Sequence, residues 1–155
     1  MAASVGVTNK GKWALASLAL TGAVAGLTTS FKAMLCTNAN APDVDDNTVA
    51  DLTEVANGNG YTTGGITIEK SAVGWDALAE DDSGDKATCK MKDAAWTASG
   101  GSIVARYMIL TDDNATVASR NVYAWWELAD GADVTVTDGQ TLTVQDAGID
   151  LTTPA

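Results

Sequence analysis

Ser102-Ile103-Val104-Ala105-Arg106-Tyr107-Met108-Ile109-Leu110, a polar break at Thr111-Asp112-Asp113-Asn114, then Asn121-Val122-Tyr123-Ala124-Trp125-Trp126-Glu127-Leu128: these two runs decide the fold. β-Branched and aromatic residues fill both, as they do in strands, and a polar turn separates them. Ala94-Ala95-Trp96-Thr97 precedes them and Asp133-Val134-Thr135-Val136 follows, each with its own strand signal. From Ile103 to Leu110 both faces are apolar except at Arg106, the pattern of a central strand. A single arginine in such a run is expected to reach a carboxylate or a carbonyl rather than a ligand.

The second run carries two faces. Val122, Ala124, Trp126 and Leu128 alternate onto one side, with Arg120 as the exception, and Tyr123 and Trp125 onto the other. Apolar residues on both sides predict two covered surfaces, the second being either the core of another sheet or a partner contact. Asp138-Gly139 then tests register. A two-residue hairpin loop would set Val136 opposite Thr141 and throw the apolar residues of the two strands onto opposite faces. An odd-numbered loop, or strands in different sheets, avoids this, because burial decides register more strongly than turn preference.

Outward from this block, Phe31–Cys36, Gly64–Lys70 and Lys86–Lys92 read as strands, and Thr48–Val55 as two helical turns ended by Asn57-Gly58-Asn59-Gly60. The expected fold class is mainly β: an antiparallel β-sandwich with an N-terminal helix and one short additional helix. Residues 1–30 are expected to form an N-terminal arm and apolar helix, and 31–155 the sandwich domain.

Trp13 to Phe31 holds no charged residue, and Lys10 and Lys12 precede it. A basic start, an Ala/Leu-rich run and Ala23-Val24-Ala25 together resemble a secretory signal. The apolar part fades at Leu27, and Thr21, Gly22 and Gly26 dilute it, which leaves it short for a membrane span. A helix from about Asn9 to Ala25, capped by Thr8 and buried in the fold or a subunit contact, is the favoured reading.

At 155 residues the chain is long enough to bury a core without disulfides. Twenty acids against nine bases give a net charge of −11, which repels nucleic acid over most of the surface. Histidine is absent, which excludes Ser-His-Asp and Cys-His catalysis, and no phosphate loop or nucleophile motif takes its place. The chain is therefore expected not to be an enzyme and to need no cofactor. Cys36 and Cys89 fit no zinc spacing and read as buried or half-buried free thiols.

One motif resembles a calcium loop. Asp43, Asp45, Asn47, Asp51 and Glu54 fall at positions 1, 3, 5, 9 and 12 of an EF-hand, but Thr48 stands where the sharp turn needs glycine. The plainer reading is an acidic loop that caps the short helix through Asp46 or Asn47. Asp81, Asp82 and Asp85 form a looser acidic cluster at a turn.

Several segments, in order, resemble a family of small virion structural proteins of tailed bacteriophages. They are Thr8-Asn9-Lys10-Gly11, Phe31–Cys36, Val49–Val55 running into Gly58–Gly65, Trp96 leading to Ala105-Arg106-Tyr107, and Asp138–Val144 with Ala147-Gly148-Ile149. The resemblance implies a non-enzymatic particle component in the virion, assembled in the host cytoplasm, with the major capsid protein, other virion proteins or copies of itself as partners, and without nucleic acid or membrane. A capsid decoration or cement protein is the first expectation, and a tail, neck or fibre component the second. A secreted carbohydrate- or calcium-binding β-module is the alternative from another class. Trp13, Leu15, Leu18, Leu20, Tyr123 and Trp125 are the expected interface residues.

Overall fold

A computed structural model describes residues 4–21, 30–84 and 86–152. The chain is a mainly β domain with an N-terminal helix and several antiparallel sheets. Its largest sheet runs in the order β1 (Ser4–Val7), β9 (Val122–Glu127), β8 (Tyr107–Asp112), β2 (Ser30–Cys36), β3 (Ile66–Glu69). All six residues of β8 are buried, as the unbroken apolar run predicted for a central strand.

Three smaller sheets hold the remaining strands. β7 (Ile103–Ala105) pairs with β10 (Val134–Val136), and β6 (Ala94–Thr97) with β11 (Thr141–Val144). β5 (Lys86–Met91) lies between β4 (Trp75–Asp81) and β12 (Gly148–Thr152). The strands on either side of Asp138-Gly139 thus belong to different sheets, one of the two arrangements that burial required. Val136 pairs with Ile103 and Leu142 with Trp96.

The main core draws side chains from the large sheet and from all the small ones. Ala33, Leu35, Met108, Leu110, Ala124 and Trp126 enter it from the large sheet, and Trp96, Ile103, Leu142 and Ile149 from the others. The Trp126 indole N–H donates to the Gly148 carbonyl at 3.1 Å, so this core tryptophan also satisfies its one polar atom. A second cluster covers the opposite face: Met34, Cys36, Tyr107, Ile109 and Val122 pack under Val49 and Leu52.

That second face corrects the reading of the β9 run. Leu110 pairs with Ala124 but Thr111 pairs with Val122, so Tyr123 is the extra residue of a β-bulge. The bulge resets the alternation. Val122 joins the second cluster together with Trp125, whereas Tyr123 turns to Phe31, ring centroids 6.0 Å apart and nearly perpendicular.

The two helical turns expected over Thr48–Val55 reduce to one 3-10 turn, Val49–Asp51, with Thr48 rather than Asp46 or Asn47 at its start. Local hydrogen bonding explains the difference. The Asp51 carboxylate accepts from the Thr48 N–H (3.0 Å), while Thr53 O and Val55 N–H bond to Thr37 N–H and Leu35 O beside β2. Those last backbone groups are taken by an extended partner and cannot continue a helix.

The N-terminal helix, α1, spans Asn9–Thr21, and Ala23-Val24-Ala25 lies outside the described residues. Thr8 caps it as expected: its hydroxyl oxygen accepts the Gly11 N–H at 2.8 Å. The same hydroxyl donates to the Val122 carbonyl at 2.5 Å, which pins the cap to the sheet. Gly11 makes the docking possible, since a Cβ there would stand 2.1 Å from the Tyr123 carbonyl oxygen.

Candidate functional site

Where α1 crosses the sheets it leaves a cleft of about 200 Å³. The helix supplies Gly11, Ala14 and Leu15. The large sheet supplies Val7, Phe31, Leu110 and Tyr123, and the three-stranded sheet Trp75, Leu78, Cys89 and Ile149. Phe31 of the large sheet and Trp75 of the three-stranded sheet meet edge to face at 5.7 Å. Lys70 is the single charged residue of the lining among the described residues.

Burial shapes the polar groups at this cleft. Tyr123 is only 5% exposed, and its hydroxyl has no well-formed hydrogen bond. Desolvation pushes that phenol well above its ordinary range, and Asp112 adds to the shift. Burial raises the half-buried Cys89 thiol as well, with a smaller push from Asp150. Neither group is poised to lose a proton near neutrality. The cleft offers shape and apolar surface rather than acid–base chemistry.

The six expected interface residues do not form one surface. Trp13 is 48% exposed, with Lys10 Nζ 4.6 Å from its ring centroid, and Leu15 lines the cleft. The side chains of Leu18 and Leu20 lie outside the described residues. The bulge separates Tyr123 from Trp125: one turns into the cleft wall, while the other packs half-buried beside the second cluster. Exposed apolar residues that sequence reasoning passed over stand elsewhere, with Leu78 at 73% and Val73 at 66%. Leu78 escaped notice because Ala77-Leu78-Ala79-Glu80 carries no clear strand alternation.

The acidic loop does not converge on a point. Asp43 accepts the Asp45 N–H, Asp45 accepts the Asn9 amide, and Asn47 donates to the Asp45 carbonyl. Asp51 binds Thr48, and Glu54 Oε1 accepts both the Tyr61 hydroxyl (2.7 Å) and the Gly64 N–H (2.6 Å). Each of these carboxylates is engaged by partners of its own.

Buried charge elsewhere is structural too. Arg106 Nε meets Glu127 Oε1 at 2.9 Å and its Nη1 reaches Asp133 at 3.5 Å, the carboxylate partnership expected from the sequence. Arg120 donates to the carbonyls of Asn114 and Gly64. Asp112, fully buried, accepts from Asn114 and twice from Asn121.

No family model, curated protein or solved structure matches the chain. What the cleft offers is its own chemistry: an apolar site between a helix and two sheets, with the exposed Leu78 and one lysine in its described lining. Lys70, Trp75 and Cys89 come to it from separate segments. Nothing in their local sequence marks them as neighbours.

Proposed function

We propose that this chain is a non-enzymatic structural component of a tailed phage particle, a two-layer β-sandwich that decorates the outer shell of the capsid. One observation carries the assembly part of the reading: large apolar side chains stand exposed on the two elements that border the cleft, Trp13 on α1 and Leu78 on β4. Such residues contribute little to a lone domain and much to a contact, where a buried Trp or Leu adds roughly 1.5–3 kcal/mol. A few per contact, repeated around a shell, hold a layer in place. The ordered resemblance to virion proteins supplies the setting, and the net charge of −11 suits a position away from packaged DNA. The partners are the major capsid protein and neighbouring copies.

The test is attachment of purified protein to undecorated particles, read as copies bound per particle. Hundreds of copies support decoration of the shell, and a few to tens would move the protein to the neck, tail or fibre. Trp13→Ala and Leu78→Ser are expected to weaken attachment at unchanged melting temperature. Full attachment by both variants would remove these two side chains from the interface. Point changes are preferable to cutting off the N-terminus, because β1 and α1 cover β9 and their loss would expose the sheet.

A further inference from the structure

The cleft beneath α1 combines two properties that define a ligand class. Among the described residues its walls are apolar apart from Lys70: Ala14 and Leu15 come from α1, Phe31 and Leu110 from the large sheet, and Trp75 and Ile149 from the three-stranded sheet. A dry cavity of about 150 Å³ lined by such residues takes up benzene, so about 200 Å³ suits a hydrocarbon chain of roughly six to eight carbons. Lys70, exposed and part of the lining, adds a positive charge. Lys86 and Lys90 are each bound to a carboxylate, Asp150 and Asp146, whereas Lys70 makes no ion pair among the described residues. In a chain of net charge −11, a cation beside an apolar cleft favours an anionic headgroup at that point.

We propose that this cleft binds a medium-chain alkyl carboxylate, with the hydrocarbon between α1 and the two sheets and the carboxylate at Lys70. The chain length follows from the volume and the headgroup charge from the lysine. An alkylammonium of the same length would set like charges together at Lys70, and a neutral alcohol would forgo the ion pair. This proposal stands independently of the particle role.

Cys89 supplies the readout. Its half-buried thiol lines the cleft, whereas Cys36 is fully buried, so native protein should offer one thiol to a maleimide. The full chain is titrated with octanoate, octanol and octylammonium while Cys89 alkylation is followed by mass spectrometry, with amide NMR shifts locating the site. Octanoate is expected to slow alkylation at least fivefold and to shift the Leu110 and Ile149 amides. The Lys70→Glu variant, changed at an exposed side chain and therefore folded, is expected to bind octanoate at least tenfold more weakly and octylammonium more tightly. The proposal is overturned if octanoate gives neither protection nor shifts, if octanol or octylammonium matches it on the native chain, or if Lys70→Glu leaves its affinity unchanged. A self-associated chain that octanoate separates into monomers in the ultracentrifuge would also overturn it, by making the cleft a contact between copies.

Discussion

The Trp125 indole lies flat against Gly6: the two residues pair across β1 and β9, and a Cβ on Gly6 would fall 2.0 Å from the ring. The edge strand can join the sheet at this register only because position 6 has no side chain. The indole in turn covers the backbone of the N-terminal strand and packs beside the second core cluster. This half-buried tryptophan is thus a clamp on β1.

Gly6→Ala is expected to lower stability by about 1–3 kcal/mol, the usual cost of forcing an atom into a packed site. Chemical denaturation measures it. In a Trp125→Leu background the same change should cost much less, because the smaller side chain can move away. Equal costs in both backgrounds would show that Trp125 is not what Gly6 accommodates.

Arg106 offers a second test, because it stands at the break between β7 and β8 with its side chain 13% exposed against Glu127 at 18%. Its backbone also ties elements together, donating to the Cys36 carbonyl and accepting from Leu128. Arg106→Met leaves a largely buried carboxylate facing an apolar side chain, and a loss of roughly 3 kcal/mol is expected. Arg106→Met combined with Glu127→Leu should recover much of that loss, because the carboxylate that lost its guanidinium is removed as well. A double variant no more stable than the single one would refute the pairing as the source of the cost.

The elements legible in the sequence were those with strong local patterns. β8 announced itself by an apolar run with no polar face, and α1 by Thr8 ahead of an Ala/Leu stretch, cap included. The pairing of Arg106 with a carboxylate followed from the cost of burying a lone charge. β4 was illegible because a register shift between Trp75 and Ala77 breaks its alternation, and β1 because four residues of Ser, Val and Gly carry little signal. The bulge at Tyr123 inverted a face assignment for the same reason: one inserted residue shifts every later position to the other side. The cleft was beyond reach of local reading, since its walls come from segments between Val7 and Ile149 that only the folded chain brings together.

Alkaline pH should weaken the fold through Cys36. Burial pushes its thiol from 9.0 up to about 12, and the Glu54 charge adds to the shift. Above pH 9 the unfolded chain releases this proton while the native chain keeps it, so stability falls as pH rises towards 12. The slope from one such group approaches about 1.4 kcal/mol per pH unit. Tyr61 and Tyr123, both raised chiefly by burial, add the same sign only above their ordinary value of 10.0. Denaturant midpoints at pH 7.5, 9 and 10, under reducing conditions, should therefore drop, and the drop should be shallower in Cys36→Ala. An identical pH profile in that variant would assign the loss to other groups.

Calcium is the last test, and the expected outcome is no tight binding at Asp43, Asp45, Asn47, Asp51 and Glu54. An EF-hand loop needs glycine at its sixth position so that the chain can turn and aim its oxygens at one centre. Here Thr48 sits there in extended backbone (φ −137°, ψ 161°), and its N–H is held by Asp51. Glu54, which would supply the bidentate ligand, is engaged by the Tyr61 hydroxyl and the Gly64 N–H. To bind calcium, Glu54 would have to leave the tyrosine that also anchors the Leu35 N–H, loosening β2 at the centre of the fold. Calorimetry should accordingly show no micromolar heat of calcium binding, and millimolar calcium should not raise the melting temperature by more than a degree or two. Micromolar binding that disappears in Asp45→Ala would mean that the loop rearranges around the ion, and that the turn-holding bonds of these carboxylates yield to it.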